Sequence, residues 1–496
     1  MFEYLYDKRF MFKVLAVYTS LAVLSKFTGG IAALMIIPVI LWSMAAKKSE
    51  WLFASMFFLP LATCTNQLLI KKTAITLGAY RGFLALLGGC MVMTLFGRKR
   101  GLFMMPFYGI FAYIAYMFIP STLGWAPFVS YFKLALFISV FFGFAAIASR
   151  VMTDERANIP RLRSVMLAFG IYFFVYSLIL LVAAPGMAYM NRDDLTEAEL
   201  LANLASGGVS LFKGMSQHSQ VMGPMAAMGA VLFMGDYIFS VRRHFWLYDM
   251  LIAACMICLW KSSSRTAMGT AIIGFAVIGW SLMSARGLSA RWKQTVMNLG
   301  WGAVLLGLVS VLAVPSLRER VFGFIMKYGG NQVQISQLTI EDVLKSREAK
   351  LEGAIANWKQ SPTIGNGFQV SEDMKAVHDI RMLVTMPVEK STWVYANLEE
   401  GGVIGSLIFA IWVAATLFAL WRRHVHIGLA CFIAMLALNM GEYTIFSLSY
   451  TGAVIWVMVF AGAVMDSQRY RLEKLNRFIE AEQEAMFLQM LEEGRM

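Results

Sequence analysis

The sequence predicts an all-α, polytopic integral membrane protein with about 14 transmembrane helices and one large, partly helical loop near its C-terminus. Three observations predict it. The 496 residues are 59% hydrophobic and only 15% charged, well outside the balance of a soluble globular chain. Apolar runs of about 20 residues, long enough to cross a bilayer core of roughly 30 Å, follow one another almost without pause to about residue 314. One long polar stretch, Ser316 to Glu400, then interrupts them, and apolar sequence resumes from Gly401 to near Val464.

Taken in order, the expected spans fall near residues 11–25, 29–46, 52–66, 74–96, 102–119, 127–149, 163–185, 219–240, 245–260, 266–284, 295–314, 402–421, 425–443 and 447–465. Thr28-Gly29-Gly30 leaves the first pair open to a second reading, as one long kinked span. The spans divide the chain into a transmembrane domain at 1–314, a large loop at 315–401, three closing spans at 402–465 and a tail at 466–496. The N-terminus is mixed and runs directly into the first apolar segment, so no cleavable signal is expected.

The net charge of +13 is spread in short clusters between apolar runs, which is the signature of membrane orientation and not of nucleic-acid binding. Lys47-Lys48, Arg98-Lys99-Arg100, Arg161 with Arg163, Arg242-Arg243, Arg291 with Lys293, and Arg422-Arg423 all fall on one side, together with Lys8, Arg9 and the tail. That side is assigned to the cytoplasm, against the single counterexample Lys71-Lys72. Both termini are then cytoplasmic, and loops 187–218 and 315–401 face the periplasm or exterior. The five cysteines lie in apolar segments, and Cys255 with Cys258 reads as a packed helix face rather than a redox or zinc site.

Inside the large loop, Leu344, Leu351, Ile355 and Trp358 recur at helical spacing, so Thr339 to Trp358 is expected to form an amphipathic helix. Ser361-Pro362 ends it and Gly365-Asn366-Gly367 makes a turn. Leu475, Phe478, Ile479, Ala485 and Met486 mark a similar face on the tail, interrupted by Glu482. No internal repeat of the transporter kind is visible.

Several polar residues invite a chemical reading. Arg265 stands at the mouth of a span, in Ser262-Ser263-Ser264-Arg265-Thr266, where Ser264 can cap the helix. A cation in a first helical turn opposes the helix dipole. It is explained either by a phosphate-rich ligand, which suits both a helix start and a guanidinium fork, or by an interfacial side chain reaching for water. Arg347 sits on the loop helix, and its significance comes from the Trp358 and Gly365-Asn366-Gly367-Phe368 that follow. Arg81 and Lys133 fall within expected spans, where charge is costly in lipid; a phosphate head group or a carboxylate would satisfy them.

With these residues in view, the chain resembles the bacterial O-antigen ligase and O-antigen polymerase superfamily. Three segments carry the likeness, over roughly residues 160–465. Gly214-Met215-Ser216-Gln217-His218-Ser219-Gln220-Val221-Met222-Gly223 is similar to the family's Gly…His-Pro-Asn…Gly entry into a span. Ser262 to Ala267 is similar to its Ser-Arg-Gly/Thr-Ala segment. Arg347…Trp358…Pro362…Gly365-Asn366-Gly367-Phe368, followed by Leu398-Glu399-Glu400-Gly401-Gly402-Val403-Ile404-Gly405, is similar to its Arg…Trp…Pro…Gly-x-Gly-Phe and Leu…Glu-x-Gly-x-x-Gly elements.

The resemblance implies transfer of a glycan from a polyprenyl pyrophosphate carrier to an acceptor outside the membrane, with Arg265 and Arg347 handling the pyrophosphate. It departs at one place: where family ligases carry a His-Asn pair, this chain has Glu389-Lys390-Ser391-Thr392. The absence favours polymerase over ligase, which would join the glycan to lipid A-core or another acceptor.

The residues support a consistent chemistry. Displacing a sugar from a pyrophosphate requires stabilising a leaving group that gains negative charge. No external Asp-x-Asp pair or carboxylate cluster indicates a metal, so cationic side chains are expected to supply that stabilisation without a cofactor. The attacking hydroxyl needs a base, for which Glu389 stands first and His378 second; a surface pairing of Glu389 with Lys390 is the competing reading. Glu400 either contacts substrate or orients the span at Gly401, and His218 either contacts substrate or is a polar residue at a span entry.

The expected partners are a lipid-linked glycan, a glycan or lipid acceptor, membrane lipid, and a chain-length regulator or flippase, with no nucleic acid. The expected setting is the bacterial inner membrane with the active site facing the periplasm. The rival from another class is a lipid-linked glycan flippase or transporter, which needs charges along a midplane path instead of at one mouth.

Overall fold

The computed structural model describes residues 6–28, 36–64, 102–154, 156–189, 212–216, 218–241, 244–262, 264–284, 289–298, 300, 302, 351–372, 374, 390, 392–441, 444–446 and 451–492. Arg81, Arg347, His378 and Glu389 lie outside these residues, as does the expected span 74–96.

Among the described residues the protein is all-helical and has no strand, only an isolated bridge between Tyr189 and Phe212. Helices α1 (Lys8–Phe27), α2 (Ile36–Ala45) and α3 (Ser49–Cys64) come first. They are followed by α4 (Met105–Leu123), α5 (Pro127–Thr153) and α6 (Ile159–Ala183, containing a π-helical turn at Ile171–Val175). Next come α7 (Ser219–Asp236), extended by a π-helical turn to Val241, then α8 (Trp246–Ser262) and α9 (Arg265–Ser284). The last three are α10 (Trp393–Arg422), α11 (His426–Leu438) and α12 (Thr451–Glu492).

Among the described residues, seven helices are long and apolar enough to span a membrane: α4, α5, α6, the stretch Val221–Val241, α9, α10 and the part of α12 from Thr451 to Lys474. Four of the other expected spans form shorter helices among the described residues: α2 with 10 residues, α3 with 16, α8 with 17 and α11 with 13. The first expected pair is two separate helices, and α1 carries Lys8, Arg9, Lys13 and Lys26.

Local chemistry sets the helix boundaries. Asp7 caps α1 by accepting from the Phe10 N–H at 2.9 Å, and Asn158 caps α6 by accepting from the Arg161 N–H at 3.2 Å. Pro127 opens α5, where the amide that proline lacks would have no helical partner.

Helix α7 sits at the centre, packed against α8, α9, α11 and α12. The apolar part of α12 is also enclosed: 94% of its span is buried. Trp456 on α12 is fully buried among Phe107, Phe141, Phe432 and Phe460, edge to face with the first two. Helices α9 and α10 lie outermost, with Ile272, Trp280, Leu407, Ile411 and Phe418 exposed as lipid-facing side chains would be. Cys255 and Cys258 are free, buried in the α8 interface, with Cys258 Sγ 3.7 Å from the Phe174 carbonyl.

Two features refine the expected boundaries. α10 starts at Trp393, and Gly402, the expected start of the span, is a non-helical break inside it (φ 62°, ψ −165°). The last span and the tail form one continuous helix, α12.

Candidate functional site

The polar loop returns to the bundle as a strap across the break in α10. After the helical stretch 351–360, Ser361 to Phe368 lies against Glu399 to Ile404. Backbone amides join the two: Asn366 N to Glu399 O (2.9 Å), Gly367 N to Glu400 O (3.1 Å), Val403 N to Pro362 O (2.9 Å) and Ile404 N to Thr363 O (3.3 Å).

These bonds exist because Gly402 breaks the helix and frees its carbonyls and amides for the strap. Gly365 and Gly402 make the approach possible. Both have positive φ, at 91° and 62°. A Cβ on Gly365 would stand 2.3 Å from the Glu400 carbonyl oxygen, and one on Gly402 would stand 2.3 Å from that of Thr363. Tyr116 on α4 closes the joint from below, donating to Gly401 O (2.9 Å) and Ile364 O (3.2 Å). Further along the strap, the Phe368 N–H donates to Ser130 Oγ (2.7 Å) and Lys133 Nζ donates to Gln369 O (2.9 Å), so α5 also grips it.

A buried ion cluster lies beside the joint. Lys390 Nζ is 3.2 Å from Glu399 Oε2 and 3.2 Å from Glu400 Oε1. The three side chains are only 4%, 5% and 0% exposed. Asn357 Nδ2 donates to Glu399 Oε1 (3.1 Å), and Asn366 Nδ2 donates to the Asn357 carbonyl (2.8 Å), so the loop helix, strap and α10 share one network.

One lysine between two carboxylates leaves the cluster one negative charge in excess if both acids are ionised. Below it on α10, Asn397 accepts from Tyr113 OH at 2.8 Å, while its Nδ2 and the Trp393 Nε1 are buried donors with no hydrogen-bond partner among the described residues. Such groups are costly to leave unpaired and uncommon in folded proteins.

The other described candidates lie at the same end of the bundle. Arg265 is half-buried as the first residue of α9, whose start Ser264 caps through Oγ to the Ala267 N–H (3.4 Å). Thr266 packs on the backbone of Gly441, and the Trp393 N–H donates to Asn439 O (3.0 Å), so the starts of α9 and α10 meet on the segment that follows α11. His218 is half-buried at the entry to α7, its carbonyl accepting from Met222 N (3.1 Å), and Gly223 of α7 packs on Ser264. Lys133 stands two turns into α5, on the strap. Arg265, His218, Lys133, Lys390 and Glu400 thus occupy one end.

A second polar group marks the opposite end. Arg163 Nε is 3.1 Å from Asp236 Oδ2, with Tyr248 OH on the same oxygen, and all three are buried. Asp466 on α12 caps α11, accepting from the Gly428 N–H at 2.9 Å, and faces Arg469 at 3.6 Å.

Asn357, Asn397 and Trp393 were not among the residues singled out from the sequence, and Glu399 entered there only within the Glu399-Glu400 motif, without a role of its own. The available signal was the adjacent pair Glu399-Glu400 in an apolar context, which requires a cation to be buried.

No known protein family matches the sequence, and no curated protein matches it. At one end of the helical bundle, the site offers a half-buried arginine at a helix start, a half-buried lysine two turns into another helix, a buried carboxylate pair held by lysine, and buried N–H donors without a hydrogen-bond partner among the described residues. It is equipped to hold an anionic, hydroxyl-bearing ligand and to accept a proton from it.

Proposed function

We propose that this protein is a membrane glycosyltransferase that moves a glycan from a polyprenyl pyrophosphate carrier to an acceptor, polymerising a surface polysaccharide of the O-antigen or exopolysaccharide type. In this reading about 14 spans place both termini in the cytoplasm of a bacterial inner membrane, with the large loop and the site on the periplasmic side. In the reaction, an acceptor hydroxyl attacks the anomeric carbon of the donor glycan. A glycosidic C–O bond forms, the C–O bond to the pyrophosphate breaks, the hydroxyl proton passes to a carboxylate or histidine, and the carrier leaves as its pyrophosphate.

Arg265 and Arg347 stabilise the leaving group as paired forks, with Arg81 and Lys133 near the head group. Glu389 or His378 takes the proton. Lys390 acts mainly through its neighbours, holding Glu399 and Glu400 in place beneath the acceptor, with His218 at the rim.

The observation that carries this reading is the convergence of Arg265, His218, Lys133 and the Lys390–Glu399–Glu400 cluster at one end, around a strap built from the Gly-Asn-Gly and Glu-Gly-Gly segments. It disfavours the flippase alternative. Among the described residues the buried ion pairs gather at the two ends of the bundle and leave no charged path through the middle.

The test is purified protein in vesicles supplied with an undecaprenyl-pyrophosphate-linked oligosaccharide. The expected result is a ladder of longer lipid-linked glycans with release of the carrier pyrophosphate. It should be abolished in Arg265→Ala and poorly restored in Arg265→Lys, because a point charge does not reproduce the bidentate fork. Donor that changes leaflet without any change of linkage would replace this reading with transport. A normal ladder from Arg265→Ala would remove Arg265 from the site.

A further inference from the structure

At the end of the bundle opposite the strap, the final turns of α9 and α10 and the start of α11 enclose a crevice of about 350 Å³. We infer that it is a binding site for one anionic phospholipid of the leaflet at that end. The inference does not depend on the reaction proposed above, only on the membrane setting of the helices.

Depth is the first reason. The crevice opens where two outermost apolar helices end, at Ser284 and Arg422, which is the level of the lipid head groups. Trp280 and Trp421 flank it, 58% and 54% exposed, in the position that interfacial indoles prefer.

Charge is the second. The cation of the wall is Arg422, beside the imidazoles of an exposed His424 and a buried His426, and the wall has no carboxylate. Arg422 is exposed and has no ion-pair partner among the described residues. The nearby acid is already committed, since Asp466 is fully buried on the α11 amides and against Arg469. A tight turn brings the histidines together: His424 takes φ 55°, and its ring centroid lies 6.0 Å from that of His426.

Shape and polarity are the third. Val425 and Leu429 give the crevice an apolar floor, while Ser281 and Ser284 supply hydroxyls at its rim. An apolar floor with a cationic, hydroxyl-bearing mouth suits an amphiphile with a phosphate head better than a free ion, and the volume lies within the range of small-molecule sites, about 300–1,000 Å³.

The experiment is a lipid titration of the full chain in detergent, read by native mass spectrometry. Phosphatidylglycerol and phosphatidylcholine of matched acyl chains are compared. The expected result is one phosphatidylglycerol bound in preference to phosphatidylcholine, with the preference reduced roughly fivefold in Arg422→Gln, the scale of one basic residue at an anionic surface. Arg422→Lys should retain most of it, and Lys474→Gln, on the exposed tail, should leave it unchanged. Equal binding of the two lipids by the unaltered protein would overturn the proposal, as would an undiminished preference in Arg422→Gln. Displacement of the lipid by millimolar inorganic phosphate would also overturn it and reassign the crevice to a soluble anion.

Discussion

Replacing Lys390 by Met nearly keeps the length of the side chain and removes the cation that bridges Glu399 and Glu400, which are 5% and 0% exposed. Two carboxylates then face each other out of water. Breaking a buried ion pair from one side costs about 3–5 kcal/mol, because the remaining charge is left uncompensated. Unfolding entropies of about 2.1 cal/mol/K per residue, taken over a chain of this length, convert that into a drop in Tm of roughly 3–5 °C.

Glu400→Gln has the opposite logic. It leaves Lys390 and Glu399 as a neutral pair and should move Tm by no more than about 1 °C, since the desolvation cost of one charge disappears with it. In the double variant, Lys390→Met with Glu400→Gln, part of the loss should return, because the like-charge repulsion is gone. The assay is thermal unfolding in detergent at one fixed scan rate, since melting of such a protein is a rate as well as an equilibrium. Glycan transfer in vesicles is measured in parallel. A Lys390→Met protein that melts with the unaltered one would refute the charge account. So would a Glu400→Gln protein as unstable as Lys390→Met. Full transfer by the stable Glu400→Gln protein would leave the cluster a purely structural role.

Two further outcomes follow from local geometry. Gly402→Ala places an L side chain at φ 62°, at about 1–2 kcal/mol, and drives its Cβ into the Thr363 carbonyl; it should lower Tm and loosen the strap, whereas Gly279→Ala, in a helix with nothing within 4 Å, should be neutral or gain up to about 1 kcal/mol. Equal melting of these two variants would refute the interlock. Asp7 is held below the usual carboxylate range chiefly by the Phe10 N–H, against burial, which raises it, and with Arg161 lowering it further. Its contribution is therefore present above the unfolded value of about 3.9 and lost as pH falls through the lower folded value. Asp7→Ala should cost about 1 kcal/mol at pH 7 and converge on the unaltered protein in acid, and a gap in Tm undiminished at low pH would contradict this.

What the sequence reveals and what it hides divide along the range of the interactions. Helices declare themselves locally: the apolar runs around α4, α5, α6, α7 and α9 are continuous, and Ser264 before Arg265 announces a helix start that the structure bears out through the Ala267 N–H. The Gly-Asn-Gly turn is equally local, because Gly365 and Gly367 have the positive φ that such a turn needs.

The partner of that turn is not local. Gly402 lies 37 positions on from Gly365 and reads, by composition, as the start of a span; only packing shows that its break opens α10 to receive the strap. Lys390 illustrates the same limit. Beside Glu389 in sequence, it reads as a surface pair, yet its charge is turned to Glu399 and Glu400 on the helix that follows. Arg163 marks the orientation of a span by its sign alone, while its burial against Asp236 depends on two helices that the sequence separates by 73 residues.

A buried charge must find its opposite somewhere, and hydropathy does not say where. Glu399-Glu400 in an apolar setting therefore already required a cation, and the fold supplies Lys390, just before the start of α10. If the acid pair serves only to anchor that strap, a neutral substitute of the same shape will serve as well; if it serves the reaction, Glu400→Gln will separate stability from transfer.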